Sequence, residues 1–187
     1  MVLTNEIISK NFNLFQDYIK QFGVTKEQIA EVFDGKLENA TFAMDCKTDG
    51  ACDGALLHVV LRMLIPTALK INDLLSNDLK VSKETIVKIG LLQHLPKAFM
   101  FEKNDNTWEI EKRGLLYKFA PSKYALRLGA RAVALAIKLG VDLSEEDIEA
   151  LTCLDKDTND EQAKFHSSPL AVIMRQANEI VMLELSK

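Results

Sequence analysis

The stretch Ile89-Gly90-Leu91-Leu92-Gln93-His94-Leu95-Pro96-Lys97 is the part of the sequence on which the fold prediction depends. Ser82 is placed to cap the helix that leads into it, and Glu84 lies in the first turn, where the helix dipole favours an acid. The residues that follow are apolar nearly all round, which is typical of a helix buried in a core. Gln93 and His94 form an adjacent polar pair near its end. The sequence therefore predicts a central core helix that carries two polar side chains.

The overall composition is that of an ordinary globular protein. The chain has 187 residues, of which 48% are apolar and 27% charged, enough for one domain or one domain with a small appendage. The net charge of −4 gives no basic footprint, so a nucleic-acid partner is not expected. No apolar run approaches the roughly 20 residues that span a bilayer, and we expect no membrane segment and no signal peptide. Three cysteines, an odd number, fit a reducing cytoplasm.

The N-terminal residues 1–41 predict a helical hairpin ahead of the main domain. Thr4 opens an amphipathic helix that ends at Gly23, and Thr25 opens a second one with its apolar residues at helical spacing. We interpret this hairpin as a packing appendage. The alternative is a partner-binding face, since amphipathic helices commonly dock in grooves.

Residues 42–54 predict a loop rich in Asp and Gly. Cys46, Cys52 and His58 are evenly spaced in and just after it, and thiolates with an imidazole are zinc ligands. The short Cys-x-x-Cys knuckle and a clear fourth ligand are missing, so a zinc-stabilised interaction protein is kept only as an alternative. The aspartates of the loop do not follow the alternating pattern of a calcium loop.

The rest of the chain predicts further helices and one small β region. Residues 53–76 form a long apolar helix with a kink or break at Pro66. Residues 98–120 predict two short strands around Asn104–Asn106, the second over Thr107–Glu111, and a third strand over Leu115–Phe119. Trp108 is interpreted as a packing anchor rather than a stacking platform for a base. Three more helices are predicted to begin at Ser122, Ser144 and Ser168, with a polar loop over residues 155–167 before the last one.

These segments resemble, in their order, the HD-domain phosphohydrolases. Leu91-Leu92-Gln93-His94-Leu95-Pro96-Lys97 resembles the family helix Leu-Leu-His-Asp-Leu-x-Lys, whose His-Asp pair binds the catalytic metal. Asp53-Gly54-Ala55-Leu56-Leu57 resembles the start of the first ligand helix, and Leu143–Leu151 and Pro169–Ile180 resemble two later ones. The resemblance implies a mainly α fold, in which residues 42–187 form an HD-domain-like helical bundle with a small β-hairpin insertion. This bundle follows the N-terminal helical hairpin in the chain.

The resemblance also implies that the metal site of the family has been lost. Positions that hold ligands or other polar site residues in the family hold different residues in this chain: Val59, Gln93, His94, Ala120, Leu154, Arg175 and Asn178. An HD site needs imidazoles and carboxylates to fix a divalent metal that activates water. We therefore expect a catalytically inactive pseudo-phosphohydrolase without a cofactor. The remnant pocket is either filled or takes a small phosphorylated ligand through Arg175, Gln93 and His94.

The implied role is that of a binding or structural module that associates with a protein partner or with itself. The family branch implies a bacterial or phage origin, which places the protein in the cytoplasm of a bacterial or phage-infected cell, with an accessory or virion-associated role. The alternative function is a divergent metal-dependent phosphohydrolase acting on nucleotides.

Overall fold

The computed structural model describes residues 1–155 and 167–186 and shows a mainly α-helical protein with a small two-stranded antiparallel sheet. The elements are, in chain order, α1 Asn5–Ile19, α2 Lys26–Phe33, α3 Ala55–Val59, α4 Ile65–Leu74, α5 Lys83–Gln93, α6 Lys97–Met100, β1 Phe101–Lys103, α7 Thr107–Arg113, β2 Tyr117–Phe119, α8 Leu128–Lys138, α9 Glu145–Thr152 and α10 Pro169–Leu185. Short 3-10 turns follow α1 at Lys20–Phe22 and α9 at Cys153–Asp155.

The predicted N-terminal caps of five helices are confirmed. The side chains of these caps accept hydrogen bonds from backbone N–H groups in the first helical turn: Thr4, Thr25, Ser82, Ser144 and Ser168. Gln28 and Asp147 return the bond to Thr25 and Ser144, which completes two capping boxes. Each cap satisfies N–H groups that have no partner within the helix, so these helix starts are fixed by local sequence.

The expected break at Pro66 takes the form of a π turn. A π-helical segment, Val60–Leu64, joins α3 to α4, and the Ile65 N–H donates to the Val60 carbonyl five residues earlier. Proline has no N–H, and its ring clashes with the carbonyl four residues before it. A helical turn that is wider by one residue ahead of Pro66 accommodates both the missing N–H and the bulk of the ring. π turns of this kind occur mostly as single turns inside α-helices.

The continuous helix Ala55–Leu74 is long and apolar enough to cross a membrane, by length and composition alone. The expectation that no apolar run approaches this length is therefore wrong for this helix. More than half of the stretch is buried within the protein, and residues such as Leu57, Val60 and Leu64 belong to its core. A central helix of a packed bundle meets the same criteria, so the finding is weak evidence for a membrane span.

The core is built around α5, as the sequence predicts. α5 contacts α1, α4, α8, α9 and α10, while α10 also packs on α4 and α9. Ile86, Ile89 and Leu91 of α5 are completely buried. Side chains of the N-terminal hairpin, including Phe15 and Phe33, join the same hydrophobic cluster as the rest of the chain. The domain boundary between residues 41 and 42 stays a prediction.

The strand predicted over Thr107–Glu111 is wrong, because Thr107–Arg113 forms a helix. The antiparallel sheet pairs β1 with β2, so the first and third predicted strands are confirmed over Phe101–Lys103 and Tyr117–Phe119, and α7 lies between them. Phe99 and Met100, predicted as the start of the first strand, instead end α6. The Asn106 side chain accepts from the N–H groups of Trp108 and Glu109, and Gly114 ends the helix with a φ of 68°. Trp108 is 61% exposed, so its interpretation as a packing anchor is wrong too.

The helix predicted to begin at Ser122 begins instead at Leu128. The Arg131 guanidinium donates to the carbonyls of Leu126 and Tyr124 and to the Ser122 hydroxyl, which holds the preceding segment in a non-helical conformation. The Asp155 carboxylate accepts from the N–H groups of Gly129 and Ala130, both at 3.0 Å. Asp155, which is distant in sequence, thus caps α8. The residues around the helix start do not reveal this cap. Apart from its two ends, the polar loop predicted over residues 155–167 lies outside the described residues.

Gly129→Ala is expected to lower the free energy of unfolding by about 1–3 kcal/mol. A Cβ at this position would lie 2.6 Å from the Leu151 carbonyl oxygen and from the Thr152 Cα. These are backbone atoms, so α8 and the end of α9 would have to separate. Helix propensity alone predicts the opposite sign, since alanine is favoured over glycine inside a helix. Urea unfolding followed by circular dichroism measures the change.

The control for this prediction is Lys138→Ala on the exposed face of α8. Its expected effect lies within about 0.5 kcal/mol, as for surface substitutions in general. A stabilising Gly129→Ala substitution would show that the α8–α9 approach is looser than the structure has it.

Candidate functional site

The predicted polar pair lies at the C-terminal end of α5, inside the protein. The last helical residue is Gln93, and His94 follows as the C-cap. Both are buried, with no exposed surface for Gln93 and 2% for His94. After Leu95 and Pro96 the chain enters α6 at Lys97. The turn between α5 and α6 therefore places three polar side chains within five residues at the core.

His94 is held by one hydrogen bond and one aromatic contact. Its Nε2 lies 2.8 Å from the Oδ1 of Asn178 on α10, and its ring meets the Phe42 ring edge-on at a centroid distance of 4.9 Å. Burial and then the charge of Lys97 lower the pKa of His94 well below its usual range, while the bond to Asn178 acts in the opposite direction. The imidazole is therefore neutral at neutral pH. Its Nδ1 is buried and has no hydrogen-bond partner in the part of the chain described.

The Gln93 amide points to a different element. Its Nε2 donates to the Ala150 carbonyl of α9 at 3.3 Å and to the Cys153 Sγ at 3.7 Å. Cys153 is buried, which confirms its interpretation as a core thiol. The Oε1 of Gln93 has no partner among the described residues. Gln93 therefore links the central helix to α9 and does not converge with His94 on a common ligand.

Phe42 lies against both His94 and Lys97. The ammonium of Lys97 is 3.3 Å from the centroid of the Phe42 ring and donates to the Phe42 carbonyl oxygen at 3.0 Å. Part of the Lys97 side chain reaches the surface, but its ammonium is enclosed by the protein, and burial lowers the pKa of Lys97 to about 7. No carboxylate pairs with it within residues 1–155 and 167–186. The Phe42 ring thus packs against the side chains of both His94 and Lys97.

The other predicted site residues do not gather around this pair. Val59 is fully buried in the hydrophobic core, and Leu154 packs against that core from its edge. Arg175 is exposed on α10, and Ala120 lies at the wall of a surface cleft. Asn178 alone of these joins His94 through a hydrogen bond. One imidazole with amides and aliphatic side chains, and without a carboxylate, does not make up the set of imidazoles and carboxylates that an HD metal site needs.

The alternative zinc ligands are also apart. Within the described residues no group of three or more His, Cys, Asp or Glu side chains could hold a metal ion. Cys46 is exposed, and burial raises the pKa of the Cys52 thiol, which disfavours the thiolate that zinc needs. His58 Nδ1 lies 3.3 Å from the Asn11 amide. His58 is therefore a partly exposed, hydrogen-bonded helix residue.

A second polar site, which the sequence did not predict, lies at the surface beside the sheet. The Asp53 carboxylate accepts from the Tyr117 hydroxyl and from the Lys103 ammonium, both at 2.8 Å. Partial burial, the largest single effect, raises the pKa of Asp53, but the hydrogen bonds from Lys103 and Tyr117 and the charge of Lys103 together lower it below its usual value. The three residues border a cleft of about 570 Å³ that also includes Lys36 and Phe99. Their sequence positions span 64 residues between Asp53 and Tyr117, so spacing gives no signal for the site.

The comparisons with known proteins add no relative. No protein-family model matches the chain, and neither a curated protein nor a solved structure matches it significantly.

Proposed function

We propose that this chain is a non-catalytic, HD-like helical protein, a pseudo-phosphohydrolase that acts as a binding or structural module. The mainly helical architecture with its small sheet is compatible with such a fold. The proposed loss of catalysis is supported by the side chains at the positions of the family's metal site. Val59, Ala120 and Leu154 have no donor atoms for a metal, and Gln93 is bonded to α9.

The observation that carries the proposal is the position of Phe42. Its ring contacts both the His94 imidazole and the Lys97 ammonium. An active phosphohydrolase needs an open coordination position for water and substrate next to its metal ligands. Here an apolar ring packs against the only imidazole of the remnant site. This arrangement supports a filled pocket over one that holds a phosphorylated ligand through Arg175, Gln93 and His94.

The module is proposed to associate with a protein partner or with a second copy of itself. The exposed aromatic side chains Trp108, Phe119 and Tyr124 support this part of the proposal, since aromatic rings are enriched at protein interfaces. A location in a bacterial or phage-infected cell, and an accessory or virion-associated role, belong to the same proposal and depend on the sequence resemblance.

Metal and activity measurements on the purified full chain test the loss of catalysis. After incubation with manganese and dialysis, elemental analysis is expected to find much less than one metal per chain. Nucleotide mono- and triphosphates with manganese are expected to show no turnover above buffer. Stoichiometric metal, with turnover that both His94→Ala and the milder His94→Gln abolish, would overturn the proposal in favour of a divergent phosphohydrolase. Circular dichroism of both variants checks that any loss of turnover does not come from unfolding.

A further inference from the structure

We propose that the cleft beside the sheet binds a small zwitterion that carries an aromatic ring, the chemical class of the aromatic amino acids. The cleft lies between residues 35–41, which follow α2, and the strands β1 and β2. Its volume of about 570 Å³ falls in the range of small-molecule sites. Neither Phe42 nor Lys97 lines this cleft, so ligand binding here does not depend on the proposed loss of catalysis.

The wall of the cleft offers an aromatic surface whose orientation is fixed. Phe99 lines the cleft and stacks on Phe33, with ring centroids 5.3 Å apart and planes 13° from parallel. Phe33 is fully buried in the core, so it anchors the Phe99 ring. Phe101 lines the same cleft and packs on Phe119 at 5.5 Å. A planar ligand ring therefore meets aromatic partners that need little reordering on binding.

The cleft presents one charge of each sign that is not bonded to another residue of the lining. The Lys36 ammonium lies 5.9 Å from the Phe99 centroid, and within the described ranges no carboxylate pairs with it. Glu102 is exposed, and among the described residues its ion pair is with Lys118 at 3.6 Å, which is outside the cleft lining. The second lysine and the second acid, Lys103 and Asp53, already bind each other.

These charges select the ligand class. Lys36 and Lys103 balance Asp53 and Glu102, so the formal charge of the cleft lining is zero. A phosphate or another multiply charged anion would meet two carboxylates as well as the two ammonium groups. A zwitterion can place its carboxylate at Lys36 and its ammonium at Glu102, with its ring against Phe99. Both ligand charges then have an opposite partner.

Binding of L-phenylalanine and of two analogues to the full chain tests the inference. 2-Phenylethylamine lacks the carboxylate, and 3-phenylpropionate lacks the ammonium. Isothermal titration calorimetry is expected to show saturable binding of phenylalanine and affinities about tenfold lower for each analogue. Nitrogen-15 NMR shifts are expected to centre on the residues around Lys36, Phe99 and Glu102. Absence of saturable binding up to about 5 mM, or equal affinity for 3-phenylpropionate, would overturn the proposal.

Two charge-removing variants give each half of the ligand its own test. Lys36→Gln is expected to weaken phenylalanine binding about tenfold. The variant then binds phenylalanine and 2-phenylethylamine with equal affinity. Glu102→Gln is expected to lower the affinity for phenylalanine to the affinity for 3-phenylpropionate. Both side chains are exposed, so folding should persist, and a thermal melt checks this. Lys70→Gln and Glu84→Gln, exposed positions outside the cleft, are the matched controls. Unchanged affinity in the two cleft variants, or displacement of the ligand by inorganic phosphate, would contradict the assignment.

Discussion

Phe42→Ala is expected to lower the free energy of unfolding by about 3–5 kcal/mol, the usual cost of deleting a fully buried aromatic ring. The ring is 1% exposed and contacts both His94 and the Lys97 ammonium. Its removal leaves a cavity and takes a partner away from a buried cation. Urea unfolding followed by far-ultraviolet circular dichroism gives the change in free energy.

Phe119→Ala is the matched control, because this phenylalanine is 63% exposed. Its loss is expected to stay below about 1 kcal/mol. A Phe42→Ala variant that loses no more than this control would show that the ring does not fill the remnant site. The proposal of a closed pocket would then lose its main support.

The second large effect is a pH dependence of stability that Lys97 introduces. Burial lowers the pKa of Lys97 to about 7 in the folded protein, from 10.5 for an ordinary lysine. Between these values the unfolded chain holds a proton that the folded chain does not. The free energy of unfolding therefore rises with pH across this window, and below about pH 7 this contribution is absent because both states are protonated.

Lys97→Met removes this proton linkage. The wild-type protein is expected to gain about 2 kcal/mol relative to the variant between about pH 7.5 and about pH 9.5. Chemical unfolding at several pH values measures the difference, and comparison with the variant cancels other groups that titrate in the same range, such as the N-terminal amine and Cys52. Lys70→Met, at an exposed position on α4, should keep the wild-type slope. Parallel curves for wild type and Lys97→Met would mean that the ammonium is hydrated.

Much of the fold could be predicted from short sequence signals. Ser82 and Ser144 cap their helices because a side-chain oxygen reaches an N–H group only three residues away. The all-round apolar pattern of α5 predicts its central position, since no face of it suits water. Asn106 is a cap of the same kind, but the alternating apolar and acidic residues after it predict a strand, which hides the helix start. The start of α8 escaped prediction for another reason: its cap, Asp155, lies 26 residues from Gly129.

The candidate sites were less predictable than the fold. The sequence identified Gln93, His94 and Asn178, and the structure brings two of them into a hydrogen bond. Nothing in the sequence pointed to Phe42, which lies in a predicted loop. The cleft combines residues from four separate segments, so no motif marks it.

The sequence by itself determined the helical class of this protein and the starts of five capped helices. These properties depend on residue type and on neighbours within one helical turn. Only the tertiary structure decided what surrounds the polar pair at the end of α5. The bond from Lys97 to the Phe42 carbonyl joins residues 55 positions apart. A lysine gives no sign in the sequence of whether its ammonium will lie in water or against an aromatic ring, because its long apolar stem allows both.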